Sequence, residues 1–368
     1  MQYLKDWTLN QHFYPEAELI MSIKSFDLAA IRKRYLESRK NKSGKGGSVE
    51  RRAVSLGGIA QVKLQKGKLE VQQLVKSLKE PRGLSSAGDR LAFSLENQVI
   101  VLDSEGVWSF SNPWFSYIHT VSFHPQYKNR VLVSSSGFDA VFECDYKNGT
   151  IIWEWFAWEN GIAEAHGPDG KSLLLTRKEE QHTAWKKEGL AHIYISDPLS
   201  DHLPTAQRAA FINTASYDLQ GNVLATFFHE GSVRRINRRD GKSEVLIKGL
   251  KNPHGGFLIS ESTIMATNTG KGELWVANKQ SQEKYSGLDL KDKAPEMLDA
   301  EWWQNAISFH DYFIVIDSNR NALLILDPSE KQYDLLPYDK QWAVQDLVLL
   351  DGQEPAFAEA LKKFQSKD

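Results

Sequence analysis

A repeat constrains this chain more than any other feature. A short apolar strand, ending in Ser, Thr or Asp and followed by a polar turn, occurs as Leu91-Ala92-Phe93-Ser94, Val131-Leu132-Val133-Ser134 and Leu173-Leu174-Leu175-Thr176. It recurs as Val223-Leu224-Ala225-Thr226, Ile264-Met265-Ala266-Thr267 and Ile314-Val315-Ile316-Asp317, with a further copy at Leu19-Ile20-Met21-Ser22. A second strand follows most copies and closes on an acid, as in Leu323-Leu324-Ile325-Leu326-Asp327. Upstream of the copies lie strands that begin at Arg82, His119, Asn213, His254 and Asn305. With one degenerate copy allowed near Ala163, these anchors are spaced by roughly 40 to 50 residues. A unit of that length cannot bury its apolar face alone, so the copies must pack on one another.

That period is the length of a four-stranded blade, and the chain reads as an all-β protein, a β-propeller. The count reads as seven blades, with six the alternative if the terminal strands only pad a neighbour. The ends fit closure. Gln345-Asp346-Leu347-Val348 is an inner strand with no blade after it, and residues 18–24, 57–65 and 68–76 are three strands with no inner strand before them. Joined, they make a last blade shared by the two termini, which leaves no open sheet edge. Residues 1–368 therefore read as one propeller domain. Short amphipathic helical patterns run from Asp27 to Ser38 and from Ala356 to Phe364.

Composition narrows the function by exclusion. Hydrophobic residues make up 41% and charged residues 25%, and the net charge is −2, so no global field draws the chain to nucleic acid or an anionic membrane. Cys144 is the single cysteine, which excludes an internal disulfide and a thiolate metal cluster. No apolar run approaches membrane-span length and no signal-peptide pattern opens the chain, so a cytoplasmic location is expected. The serine-nucleophile elbow, the His-Glu-x-x-His zinc motif and the dinucleotide glycine fingerprint are all missing. Ser43-Gly44-Lys45-Gly46-Gly47-Ser48 lacks the spacing of a phosphate loop.

Candidate site residues follow from the repeat, because the first positions of successive inner strands converge on one axis. These are Arg82, His119, Asn213, His254, Asn305 and Gln345, and the loops between second and third strands add Arg177 and His229. A ring of donors suits an anionic, oxygen-rich ligand. His119 and His254 are the expected catalytic residues, serving as ligand or acid–base groups, and Arg82 would neutralise negative charge. Asn213, Asn305 and Gln345 would orient the ligand, and His229 and Arg177 are further ligand-binding candidates. Histidines in such a place also suit a divalent metal, the alternative occupant. Polar channel residues elsewhere often hold only water or backbone, and His124 and His310 read as surface residues. Glu164 and His166 form a weak acid–base candidate. Aromatic residues before the inner strands, among them Trp114, Trp158, Trp302 and Trp303, would either wall the mouth or wedge between blades.

Residues 25–56 form a long basic insertion in the terminal blade, carrying Arg32, Lys33, Arg34, Arg39, Lys40, Lys42, Lys45, Arg51 and Arg52. By topology it projects over the channel mouth, either as a lid or as an arm for a protein partner. The second reading makes the chain a non-catalytic scaffold. Residues 177–191 read as another long loop.

Two stretches resemble known propellers. Glu244 to Phe257 is similar to the strand junction of NHL-type repeats and of the virginiamycin B lyase and SMP-30/strictosidine-synthase-like propellers, and Gly137 to Trp155 resembles an arylsulfotransferase-type blade. The lyase resemblance implies magnesium-assisted elimination with channel histidines, and His254 alone falls on a matching position. Lyase or transferase chemistry on a small anion is the activity these resemblances imply.

Overall fold

In the computed structural model, residues 1–41, 45–50, 53–352 and 359 are described; the helical pattern from Ala356 to Phe364 lies almost wholly outside them. The strands fall into seven sheets, five of them built on a simple four-strand antiparallel meander. The terminal sheet mixes the two ends of the chain. Val344–Leu349 pairs with Ala17–Ile23, which pairs with Leu56–Gln65, which pairs in turn with Lys68–Lys79. The fold is a β-propeller closed by its termini.

Among the described residues, the inner strands that follow one another around the axis are β1 (Leu84–Ala87), β2 (Ile118–Phe123), β3 (Ile212–Tyr217), β4 (His254–Leu258), β5 (Trp303–Phe309) and β6 (Val344–Leu349). Polar side chains fasten these strands at every junction but one. Ser85 Oγ accepts from Phe123 N at 3.1 Å, Thr120 Oγ1 from Ala215 N at 2.9 Å, and Thr214 Oγ1 from Gly255 N at 3.2 Å. The Asp346 carboxylate accepts from Asn305 Nδ2 at 2.8 Å and from Leu84 N at 2.9 Å, joining three strands. At the remaining junction, β4 and β5 touch directly.

The third sheet departs from the expected pattern. It has three short strands, Glu164–His166, Ser172–Thr176 and His192–Tyr194, the last pairing in parallel. It does not separate its neighbours on the inner ring, because β2 packs directly against β3. The second and fourth sheets are joined across their width. Tyr217 and Arg238 reach Glu143, and the Trp155 indole donates to Gly241 O at 2.9 Å. The degenerate copy near Ala163 is therefore a lateral sheet, not a ring member. The expected loop 177–191 contains a helix, Glu179–Glu188.

The N-terminus adds a feature the repeat did not signal. Gln2–Tyr3 and Thr8–Leu9 pair in parallel with the outermost strands of the fifth and sixth sheets, covering edges before the chain enters the terminal sheet.

Candidate functional site at the channel mouth

Between the second and third strands of the terminal sheet the chain forms helix α1 (Leu28–Ser38). Asp27 caps it by accepting from Ala30 N at 2.9 Å. Leu28 and Ile31 pack with Met297, Ala300, Trp302 and Ala343, so the helix lies across the mouth. Arg32 anchors it. This side chain is 5% exposed, and its guanidinium donates to the carbonyls of Ser318 and Asn319, to Asn321 Oδ1 and to Glu296. Gly47 takes φ +107° beside Thr205, where a Cβ would lie 2.4 Å from Cγ2, so glycine is required. Ser48 O accepts from Ala206 N at 3.0 Å and fixes this second part of the cover. The described part of the basic insertion is thus a lid built into the mouth.

Beneath it lies a cavity of about 380 Å³. Its wall carries Lys24, Arg34, Arg39, Arg82 and Lys251, with His119 and His254, and no carboxylate among the described lining residues. Tyr35, Tyr117, Phe211, Phe228 and Trp302 supply aromatic faces.

Backbone strain collects here. Tyr117, Phe211 and Asn252 all line the cavity with positive φ, at 54°, 49° and 53°, in the turns leading to β2, β3 and β4. Such conformations persist only where the surroundings impose them. For Phe211 the cause is Asp139, whose buried carboxylate accepts from the backbone nitrogens of Ala209, Ala210 and Phe211 at 2.7, 3.2 and 2.6 Å. This turn presents Phe211 to the mouth.

The two expected histidines meet, their ring centroids 5.5 Å apart. His254 Nδ1 pairs with Thr269 Oγ1 at 2.9 Å. Burial, then Lys24 and Arg82, pushes His254 down to about 3. Burial, then Arg82 and His254, holds His119 well below its ordinary value. Both are neutral imidazoles at pH 7. Arg82 is 1% exposed, stacks 3.8 Å from the Tyr117 ring centroid, and pairs with Glu80 at 2.6 Å.

The remaining expected residues do other work. Asn213 Nδ2 donates to Pro253 O at 2.7 Å, and Asn305 is committed to Asp346 and to Ala306 N, so both tie the ring together. Gln345 Oε1 accepts from Lys24 Nζ at 2.8 Å and so positions a cavity residue without lining the cavity. His229 bonds to Arg208 O at 2.9 Å and Gly46 O at 3.1 Å, holding the lid loop. Arg177 lies on the flank, paired with Glu154 and Glu159 and stacked on Phe156. Glu164 is exposed and bonds Ser172, and it forms no pair with His166. His124 is 3% exposed and packs at a tilt against the Tyr217 ring, which corrects its reading as a surface residue. The Trp302–Trp303 doublet divides: Trp302 faces the cavity and Trp303 is core.

Lys24, Tyr35, Tyr117, Phe211, Phe228 and Gln304 line the cavity without having been signalled by the repeat. The positive charge of 25–56 was the one visible hint for the lid residues among them.

No family profile matches the chain, and no curated protein does. Solved structures do share the fold. A protein of unknown function from Bacteroides caccae aligns over 91% of this chain and 99% of its own, with TM-score 0.52 and 11% identity. A chain of the Nidogen/Laminin complex aligns over 91% and 98%, with TM-score 0.52 and 10% identity. A catalytically inactive virginiamycin B lyase from Staphylococcus aureus with quinupristin covers 70% of each chain, with TM-score 0.43 and 11% identity. At such identities the likeness concerns fold alone. The chain is a β-propeller with a covered, cation-lined mouth.

Proposed function

We propose that this propeller binds a small organic anion in the cavity beneath α1. The wall carries the reading: five cationic side chains and five aromatic ones, with no carboxylate among the described lining residues. Lys24, Arg34, Arg39 and Lys251 provide positive potential in a partly desolvated space, where charge is screened least, and Arg82 joins them with its charge shared with Glu80. Aromatic faces hold the carbon frame. His119 and His254 act first as neutral hydrogen-bond partners. An imidazole held near 3 is a weak base, so elimination or group transfer through this pair needs a bound anion to raise it first.

A divalent metal fits this wall less well. No group of three or more His, Cys, Asp or Glu gathers among the described residues, and Arg82 and Lys24 stand beside the two histidines. No described helix is long and apolar enough to cross a membrane, and a lone, buried Cys144 suits a reducing, cytoplasmic setting.

Thermal unfolding with benzoate and with its neutral analogue benzamide tests the reading. Benzoate should raise Tm with concentration and benzamide should not, as expected for a ligand that binds only the folded state. Equal shifts, or none for either compound, would refute it.

A further inference from the structure

Among buried nitrogen donors with no hydrogen-bond partner, two belong to residues of the cavity wall: Nε2 of Gln304 and Nε of Arg82, each on a side chain 1% exposed. Leaving a buried donor without an acceptor costs stability, so such a group calls for an explanation. For Gln304 the amide orientation follows from its surroundings. An indole N–H can only donate, and Trp302 Nε1 lies 2.7 Å from Oε1, so Oε1 is the bonded end and Nε2 the unpartnered one.

What surrounds that nitrogen defines a ligand. Trp302 stacks on Tyr35 of the lid, centroids 4.7 Å apart and planes at 29°. Lys24 Nζ lies 5.4 Å from the Trp302 ring centroid and is held by Gln345 Oε1. A fixed amide donor and an ammonium group thus share one indole as their common support, beside an aromatic shelf.

We infer that Gln304 receives an oxygen of the ligand, and that the ligand is an aryl oxyanion, a ring-bearing carboxylate or sulfonate. This rests on the anion-binding reading above and sharpens it. A neutral acceptor would satisfy Gln304 but make no use of the positive wall, and an inorganic anion would leave the aromatic shelf unused. A site built to hydrogen-bond one group rejects analogues that lack it far more strongly than an apolar pocket does.

The test compares two dyes: anilinonaphthalene sulfonate, an aryl oxyanion, and phenylnaphthylamine, its uncharged counterpart. Wild-type protein should bind the sulfonate at one site, at least about tenfold more tightly than the amine. Gln304→Glu keeps the acceptor for Trp302 but removes the donor, and Gln304→Met removes the donor without adding charge. Each should weaken sulfonate binding at least about tenfold while leaving amine binding unchanged, with Lys284→Ala as the unaffected control. If Arg39→Glu weakens the sulfonate but neither Gln304 variant does, the cavity remains an anion site and Gln304 is removed from it. If the wild type does not distinguish the dyes, and Arg39→Glu changes nothing, the anion-binding reading falls and this inference with it.

Discussion

Cations converge at two places in this propeller, and the two differ in what they converge upon. On the flank, Arg130 and Arg238 reach the fully buried Glu143 at 3.0 and 2.8 Å, and the Tyr217 hydroxyl donates to the same carboxylate at 2.8 Å. At the mouth, Lys24, Arg34, Arg39, Arg82 and Lys251 line a cavity to which no described residue contributes a carboxylate. The first cluster closes on itself and fastens the second sheet to the fourth. The second gathers its cations around a cavity, and of these Arg82 is already paired with Glu80. Positive charge in a fold is therefore no signal of function until its counter-charge has been found.

The sharpest way to break this contrast is to remove the flank carboxylate. Glu143→Gln should cost on the order of 3 kcal/mol of stability, read by urea unfolding, and leave benzoate affinity unchanged, because it strands two arginines and a tyrosine away from the mouth. Equal stability would show that the flank cluster is not a fastening. Arg32→Ala should come next in size. It empties the carbonyl socket that holds α1, so limited proteolysis should cut within residues 28–41 faster than in wild type, and benzoate affinity should fall with it. Unchanged cleavage would detach the lid from that anchor.

At the mouth, Arg39→Glu should weaken benzoate about tenfold or more, about 1.4 kcal/mol, without lowering Tm, since Arg39 is exposed and donates to the Asp299 carbonyl at the surface. Acid sensitivity is a separate readout of the same wall. His254 falls from its ordinary 6.5 to about 3 on folding, with His119, Lys24 and Arg82 as its charged or titratable neighbours. The unfolded chain then binds more protons between those values, so stability falls as pH drops from 6.5 toward 3. Asp346 works in the opposite sense. Burial raises it to about 7, so its contribution is present at low pH and lost as pH rises through 7. His254→Asn should flatten the acid limb and Asp346→Asn the other, and an acid limb unchanged in His254→Asn would contradict the assignment. The smallest effect belongs to Arg177→Ala, worth under about 1 kcal/mol as a surface pair and without influence on anion binding.

Much of the ring was legible because a propeller repeats the same packing problem. The apolar strands and the shared terminal blade follow directly from their spacing. The third copy misled because Glu164–His166 keeps the rhythm of an inner strand while Thr120 and Ala215 already join β2 to β3. The site was legible in part, and the reason is chemical. Polar residues at equivalent positions either face a ligand or lace the strands together, and both uses call for the same side chains. Asn213 and Asn305 lace; His119, His254 and Arg82 face the cavity. No spacing separates the two. Trp302, Gln304 and Lys24 escaped because their roles depend on one another and on a lid arriving from elsewhere in the chain.

Whether the mouth is the anion site can be asked of a crystal directly. Soaked with para-bromobenzoate and measured at the bromine absorption edge, the protein should show its strongest anomalous peak in the cavity between α1 and strands β2 to β5. A strongest peak elsewhere, with the cavity empty of bromine, would contradict the account.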